Sequence, residues 1–67
     1  MTGKWTVMRW SGKQGTAMRV RFIGTEQKAR EVYAKLHYAM RQGAVELLDG
    51  DGRTVLLDWA PRLRTRW

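Results

Sequence analysis

The side chains in this sequence that could bind a ligand are mainly arginines placed near tryptophans. Arg9, Arg19 and Arg21 fall in two neighbouring apolar stretches, the first of which also contains Trp5 and Trp10. Guanidinium groups bind phosphates, and indole rings offer flat surfaces on which unpaired bases stack. This combination predicts a surface that binds RNA or single-stranded nucleic acid.

The last seven residues, Pro-Arg-Leu-Arg-Thr-Arg-Trp, place an arginine at every second position: Arg62, Arg64 and Arg66. In an extended backbone these side chains would stand on one side at intervals of roughly 6.7 Å, because each residue rises about 3.3 Å. Such a row could follow a phosphodiester backbone. The alternative is a loose, solvated chain end.

Residues of the kinds used in catalysis or metal binding are few. His37 is the only histidine, and its position beside the apolar stripe of a helix predicts a ring that packs on the edge of the sheet. Asp49 and Asp51 match the start of a calcium loop, but Arg53 stands at the next ligand position and Ala60 at the position of the bidentate glutamate. We therefore expect a turn at these aspartates, and no catalytic site, metal or cofactor.

The length of 67 residues allows one small domain with a marginal core. Its 43% hydrophobic content favours a folded chain, and its lack of cysteine excludes disulfides as reinforcement. Aromatic packing or self-association must then supply the missing stability.

The net charge of +7 is the strongest compositional signal. Residues 1–43 carry nine basic and two acidic side chains, residues 44–60 carry one and four, and the last seven residues carry three arginines. A field of this sign attracts nucleic acid or an acidic protein surface.

The amino terminus lacks the apolar run of a secretory signal, and no stretch approaches the roughly 20 apolar residues of a membrane span. We expect a cytoplasmic protein without a membrane segment.

The pattern of apolar residues and turn signals predicts the order strand, strand, helix, strand, strand. The expected strands cover residues 4–10, 16–23, 44–48 and 53–59, and the helix covers residues 26–42 after the capping residue Thr25. The assembly is an α+β fold, a four-stranded and mostly antiparallel sheet with one helix packed on one face. We assign residues 1–60 to a single domain and residues 61–67 to a basic tail or edge segment, since Pro61 interrupts the last strand.

Regular alternation along the strands predicts which side chains lie on the sheet face without a helix. This uncovered face would hold Arg19 and Arg21 of the second strand. The first strand adds either Trp5, Val7 and Arg9 or Thr6, Met8 and Trp10, a choice that the sequence leaves open. The third and fourth strands would add Glu46, Leu48, Thr54, Leu56 and Asp58.

Two functions of different classes follow from these expectations. The leading hypothesis is a non-catalytic domain that binds nucleic acid through a face bearing arginine and tryptophan. Its expected contact residues are Arg9, Trp10, Arg19, Arg21, Arg62, Arg64 and Arg66. The alternative is a protein-interaction module that forms a homodimer through the uncovered sheet face, with Trp5, Leu48 and Leu56 in the interface.

Overall fold

The computed structural model describes residues 3–11 and 17–60, which form four strands and one helix. Three elements come first along the chain: β1 (Trp5–Ser11), β2 (Ala17–Gly24) and α1 (Glu26–Ala39). They are followed by β3 (Ala44–Leu48) and β4 (Thr54–Trp59). The strands form one sheet in the order β2-β1-β3-β4, and every neighbouring pair is antiparallel. The predicted α+β fold is confirmed, whereas residues 61–67 lie outside the described residues.

The helix begins at the predicted residue. Thr25 is extended, and its Oγ1 accepts a hydrogen bond from the amide of Lys28 at 3.3 Å, which satisfies one of the amides exposed at a helix start. The helix ends three residues earlier than predicted, because Met40 turns extended while its N–H still donates to the carbonyl of Leu36 at 2.9 Å. No helix among the described residues is long and apolar enough to cross a membrane.

The core lies between α1 and one face of the sheet. Val7, Val45 and Leu47 are fully buried on the strands. The helix contributes Ala29 and Tyr33, and side chains at the margin, including Trp5, Phe22 and Leu36, pack against this cluster. The apolar side of the helix therefore faces the sheet.

Two irregularities interrupt the alternation of the strands. Val7 pairs with Phe22 and Met8 pairs with Val20, so Arg21 has no direct partner on β1 and forms a β-bulge. Leu47 pairs with Leu56 and Leu48 pairs with Thr54, which places Val55 in a second bulge. Each bulge shifts the alternation by one residue, so side chains on its two sides exchange faces. The list of residues expected on the uncovered face is therefore partly wrong.

The turn between β3 and β4 has the chemistry expected of an aspartate-glycine loop. Asp49 Oδ1 accepts hydrogen bonds from the amides of Asp51 at 2.8 Å and Arg53 at 3.0 Å. The hydrogen bond from the Arg53 amide is the main reason why the pKa of Asp49 lies below its usual range. The side chain thus organises the turn, as the sequence predicted.

A buried phenol ties the helix to the edge strand. Tyr33 is 6% exposed, and its hydroxyl donates to Oδ2 of Asp58 on β4. The pKa of Tyr33 is raised, mainly because the phenol is buried and also because it donates to a carboxylate. The neutral phenol is therefore strongly favoured in the folded chain.

Replacing Gly43 should show how closely β1 approaches the chain after the helix. Gly43 and Gly52 both have positive φ, 86° and 84°. A Cβ on Gly43 would overlap the carbonyl oxygen of Trp10, whereas a Cβ on Gly52 meets no atom within 4 Å. We expect Gly52→Ala to cost about 1 kcal/mol and Gly43→Ala about 3 kcal/mol or more, measured by urea unfolding. Equal costs would contradict the close approach.

Removing the Tyr33 hydroxyl should lower stability and change its dependence on alkaline pH. We expect Tyr33→Phe to lose about 1–2 kcal/mol at neutral pH, because Asp58 loses its donor. The pKa of Tyr33 is higher in the folded chain than in the unfolded chain, where it is about 10. The neutral phenol therefore contributes its full stability below a pH of about 10, and this contribution is lost as the pH rises further. The difference in the free energy of unfolding between the wild type and Tyr33→Phe should therefore become smaller as the pH increases. A constant gap would contradict this account.

Candidate functional site

The sheet face opposite the helix, called the open face here, follows from the strand register. Residues paired directly across two strands lie on the same face, and Val7, Val45 and Leu47 mark the face covered by α1. The opposite set defines the open face: Thr6, Met8, Trp10, Met18, Val20, Ile23, Ala44, Glu46, Leu48, Thr54, Leu57 and Trp59.

The open face is predominantly apolar and strongly exposed. Trp59 is 62% exposed, Ile23 57% and Leu57 51%, and both Met18 and Val20 are exposed as well. These side chains come from β2 and β4, the two edge strands, so the apolar surface extends across the whole width of the sheet. Exposed apolar surface of this continuity typically marks an interface.

Glu46 is the single charged member of the open face, and its carboxylate bonds to neighbours within that face. Oε1 accepts from Trp10 Nε1 at 3.0 Å, and Oε2 accepts from the hydroxyl of Thr54. Two of its acceptor sites are thus used by the sheet itself. Burying this carboxylate under another apolar surface costs less than burying one that has no donors.

Two indoles frame a depression at one end of the open face. Ala44 pairs with Trp10 on β1 and with Trp59 on β4, and it is only 2% exposed although its side chain points to the open face. Together with Glu46 and Leu57, these residues line a cavity of about 220 Å³. The indoles therefore form the walls of a shallow apolar recess.

The arginines of β1 and β2 lie together in a different place, called the basic corner here and made of Arg9, Arg19 and Arg21. Arg9 pairs directly with Arg19, and Arg9 also pairs with Val45, a core residue beneath the helix. Arg9 and Arg19 therefore stand on the helix side of the sheet. All three arginines line a depression of about 280 Å³ with Ser11, Ala17 and Met18.

The expected placement of Arg19 on the uncovered face of the sheet is wrong. Trp10 lies on the open face, whereas Arg9 and Arg19 lie on the helix side, because the bulge at Arg21 moves Arg19 away from the uncovered face. The structure brings the three strand arginines together but places Arg9 and Arg19 on the opposite side of the sheet from Trp10. Arg62, Arg64 and Arg66 lie outside the described residues, so their role stays a prediction.

Two of the three expected interface residues are also placed differently. Leu48 lies on the open face as expected, but Leu56 pairs with the buried Leu47 and belongs to the helix side, because the bulge at Val55 shifts β4. Trp5 is on the helix side as well, where the Arg30 guanidinium carbon stands 5.4 Å from its ring centroid. Asp58 likewise faces the helix, through its bond to Tyr33.

The sequence reasoning missed the exposed members of the open face on the edge strands. These are Met18, Val20, Ile23, Leu57 and Trp59. A signal for them was present in two adjacent apolar pairs, Phe22-Ile23 and Leu56-Leu57. Neighbouring strand residues point to opposite faces, so such a pair indicates a strand with apolar contacts on both sides.

Three groups of the kinds used in catalysis, His37, Asp49 and Asp58, are engaged in structural bonds. Nε2 of His37 lies 3.2 Å from the carbonyl oxygen of Trp59, so its N–H donates to the edge strand, which confirms the expected packing on the sheet edge. Asp49 organises its turn and Asp58 accepts from Tyr33. Within residues 3–11 and 17–60, no three His, Asp or Glu side chains are grouped so that they could hold a metal ion.

Comparison with known proteins gives no relative. No protein family, curated protein or solved structure matches this chain. A function must therefore be inferred from the open face and the basic corner.

The two indoles of the apolar recess should differ in their effect on stability. Trp10→Phe removes the donor to Glu46 and should lower the free energy of unfolding by about 1 kcal/mol, whereas Trp59→Phe alters an exposed ring and should change it by less than about 0.5 kcal/mol. Urea unfolding of the two variants at low protein concentration measures the difference. Equal losses would mean that the bond to Glu46 contributes nothing.

Proposed function

We propose that this protein is a non-catalytic interaction module that forms a homodimer by packing the open faces of two copies together. The observation that carries the proposal is the apolar character of the open face, from Ile23 and Val20 on one edge strand to Leu57 and Trp59 on the other. A chain of 67 residues has a small core, and covering this face adds a second apolar layer.

The size of the face is sufficient for a weak dimer. Four strands at a spacing of about 4.8 Å and about six residues of about 3.3 Å give a platform of roughly 19 by 20 Å. Each copy would contribute roughly 400 Å² in flat projection, and more as accessible surface because side chains stand out from it. The total approaches the ~1,000 Å² expected of a specific interface, which favours micromolar affinity.

The placement of charge favours a second copy as the occupant over an acidic protein. The residues of the open face include one carboxylate and no basic side chain, whereas Arg9 and Arg19 lie on the other side of the sheet. Packed sheets stand about 10 Å apart, so the arginines of the two copies would be roughly 20 Å apart, beyond the ~8 Å screening length. The net charge of +7 therefore opposes this dimer only weakly, and an acidic partner would be attracted to the opposite side.

The described side chains also support self-complementary packing. The open face has an indole-walled recess at Ala44, and the apolar side chains of Met18 and Ile23 at the other edge are exposed. In a two-fold dimer each region of one copy meets a region of the other, and sheets pack face to face with their strands either nearly aligned or nearly orthogonal.

Sedimentation equilibrium of the full chain over about 1 μM to about 1 mM tests the dimer. We expect the wild type to dimerise in this range and Leu57→Asp to remain monomeric, because the variant buries a carboxylate without a partner. Tyr38→Asp is the matched control, since Tyr38 is 89% exposed on the helix, and it should dimerise like the wild type.

Two outcomes would overturn the homodimer. One is a wild type that stays monomeric at the highest concentration. In that case, NMR contacts between the Leu57 methyl groups and residues 61–67 would show that the chain covers its own open face. The other is a Leu57→Asp variant that is folded by circular dichroism and dimerises as strongly as the wild type.

A further inference from the structure

We infer that the basic corner, Arg9, Arg19 and Arg21, binds the phosphodiester backbone of a nucleic acid without reading its sequence. This inference is independent of the proposed dimer, because Arg9 and Arg19 lie on the side of the sheet that faces away from the open face. A single depression of about 280 Å³ contacts all three arginines.

The corner is exposed because the helix crosses the sheet diagonally. Near its start, Arg30 reaches Trp5 at the beginning of β1, and near its end His37 reaches Trp59 on β4. The end of β1 and the start of β2, where Arg9 and Arg19 stand, lie away from this path. The helix therefore does not cover the sheet at the corner.

Two like charges face each other directly at this corner. Arg9 and Arg19 are Cα partners in the β1–β2 ladder, and like charges in directly opposed positions destabilise a sheet. The single ion pair formed by the described residues lies on the helix, between Arg30 and Glu26, so no carboxylate there neutralises the corner. A bound anion would remove this repulsion, which is a physical reason to expect one.

The local backbone directs the third arginine toward the same depression. The bulge takes Arg21 out of the regular register, and β-bulges re-aim side chains at binding sites. Arg9 is partly oriented, because its Nη2 donates to the carbonyl oxygen of Gln42 at 3.2 Å. A guanidinium has five N–H donors, so most of those on Arg9 remain available to an anion.

The chemistry of the corner favours phosphate groups in a chain. The three described cations of the corner are arginines, whose planar fork binds a phosphate through two parallel hydrogen bonds, although the sequence also contains four lysines. None of the described residues that line the depression has an aromatic ring on which a base could stack. Recognition would therefore involve the backbone alone and would be insensitive to base sequence.

Fluorescence anisotropy with a labelled mixed-sequence DNA single strand of about 20 nucleotides, at about 50 to about 200 mM salt, tests the inference. The triple variant Arg9→Gln/Arg19→Gln/Arg21→Gln is compared with Lys4→Gln/Lys28→Gln/Lys35→Gln. Both variants lose three positive charges at exposed or partly exposed positions, so they have the same net charge and differ only in where the charge is removed.

We expect the corner variant to lose about tenfold or more in affinity, and its slope of log affinity against log salt to become shallower by about 2, since each phosphate contributes about 0.7. The lysine variant should lose less than about threefold in affinity and keep the wild-type slope.

Arg19→Gln alone should be at least as stable as the wild type by thermal unfolding, because it removes the opposed charge.

Three results would overturn the inference. The first is a wild type that does not bind the oligonucleotide at the lowest salt. The second is an equal loss of affinity in the two triple variants. The third is displacement of the oligonucleotide by a polyglutamate peptide at equal charge concentration. The last result would assign the corner to an acidic protein. Both triple variants should dimerise as the wild type does, so failure of the dimer and failure of the corner give different results.

Discussion

The constraint on which this structure depends is that one 14-residue helix must cover a four-stranded sheet. A helix with its side chains is about 10 Å across, whereas four strands span about 19 Å, so the helix covers a diagonal band on one face. Val7, Val45 and Leu47 lie beneath that band and are fully buried. Among the described residues, the helix leaves the opposite face and the corner beyond the band uncovered, and the two proposed binding surfaces lie there.

Two β-bulges decide which side chains occupy the exposed regions. In β2, Met18 and Val20 lie on the open face, and after the bulge at Arg21 the next residue, Phe22, packs toward the core. A regular strand with Phe22 in the core would carry Met18 and Val20 on the core side as well, and would place Arg19 on the open face. The bulge instead puts Arg19 opposite Arg9. The sheet therefore has an apolar surface and a cationic surface back to back.

The elements of this fold are predictable from the sequence because their signals are local. Thr25 marks the helix start, and Asp49 organises the turn between β3 and β4. The face of the sheet on which a side chain lies is predictable only where the strand alternates regularly, without a bulge. Leu48 on the regular strand β3 is placed correctly, whereas Arg19 and Leu56 are not, since a bulge depends on pairing with another strand and leaves little trace in composition.

The back-to-back arrangement prevents the two proposed functions from competing. If the arginines shared the open face, dimerisation would desolvate them at a cost of several kcal/mol per buried charge, and nucleic acid would displace the second copy. With Arg9 and Arg19 on the far side of the sheet, each surface could be occupied alone, and each proposed partner would stabilise the native state by mass action. In a face-to-face dimer the two basic corners point away from each other, so a short strand can contact only one of them. Dimerisation would then add little affinity for one short strand, and its effect would be to bring two nucleic-acid segments together, because avidity requires a ligand that reaches both sites.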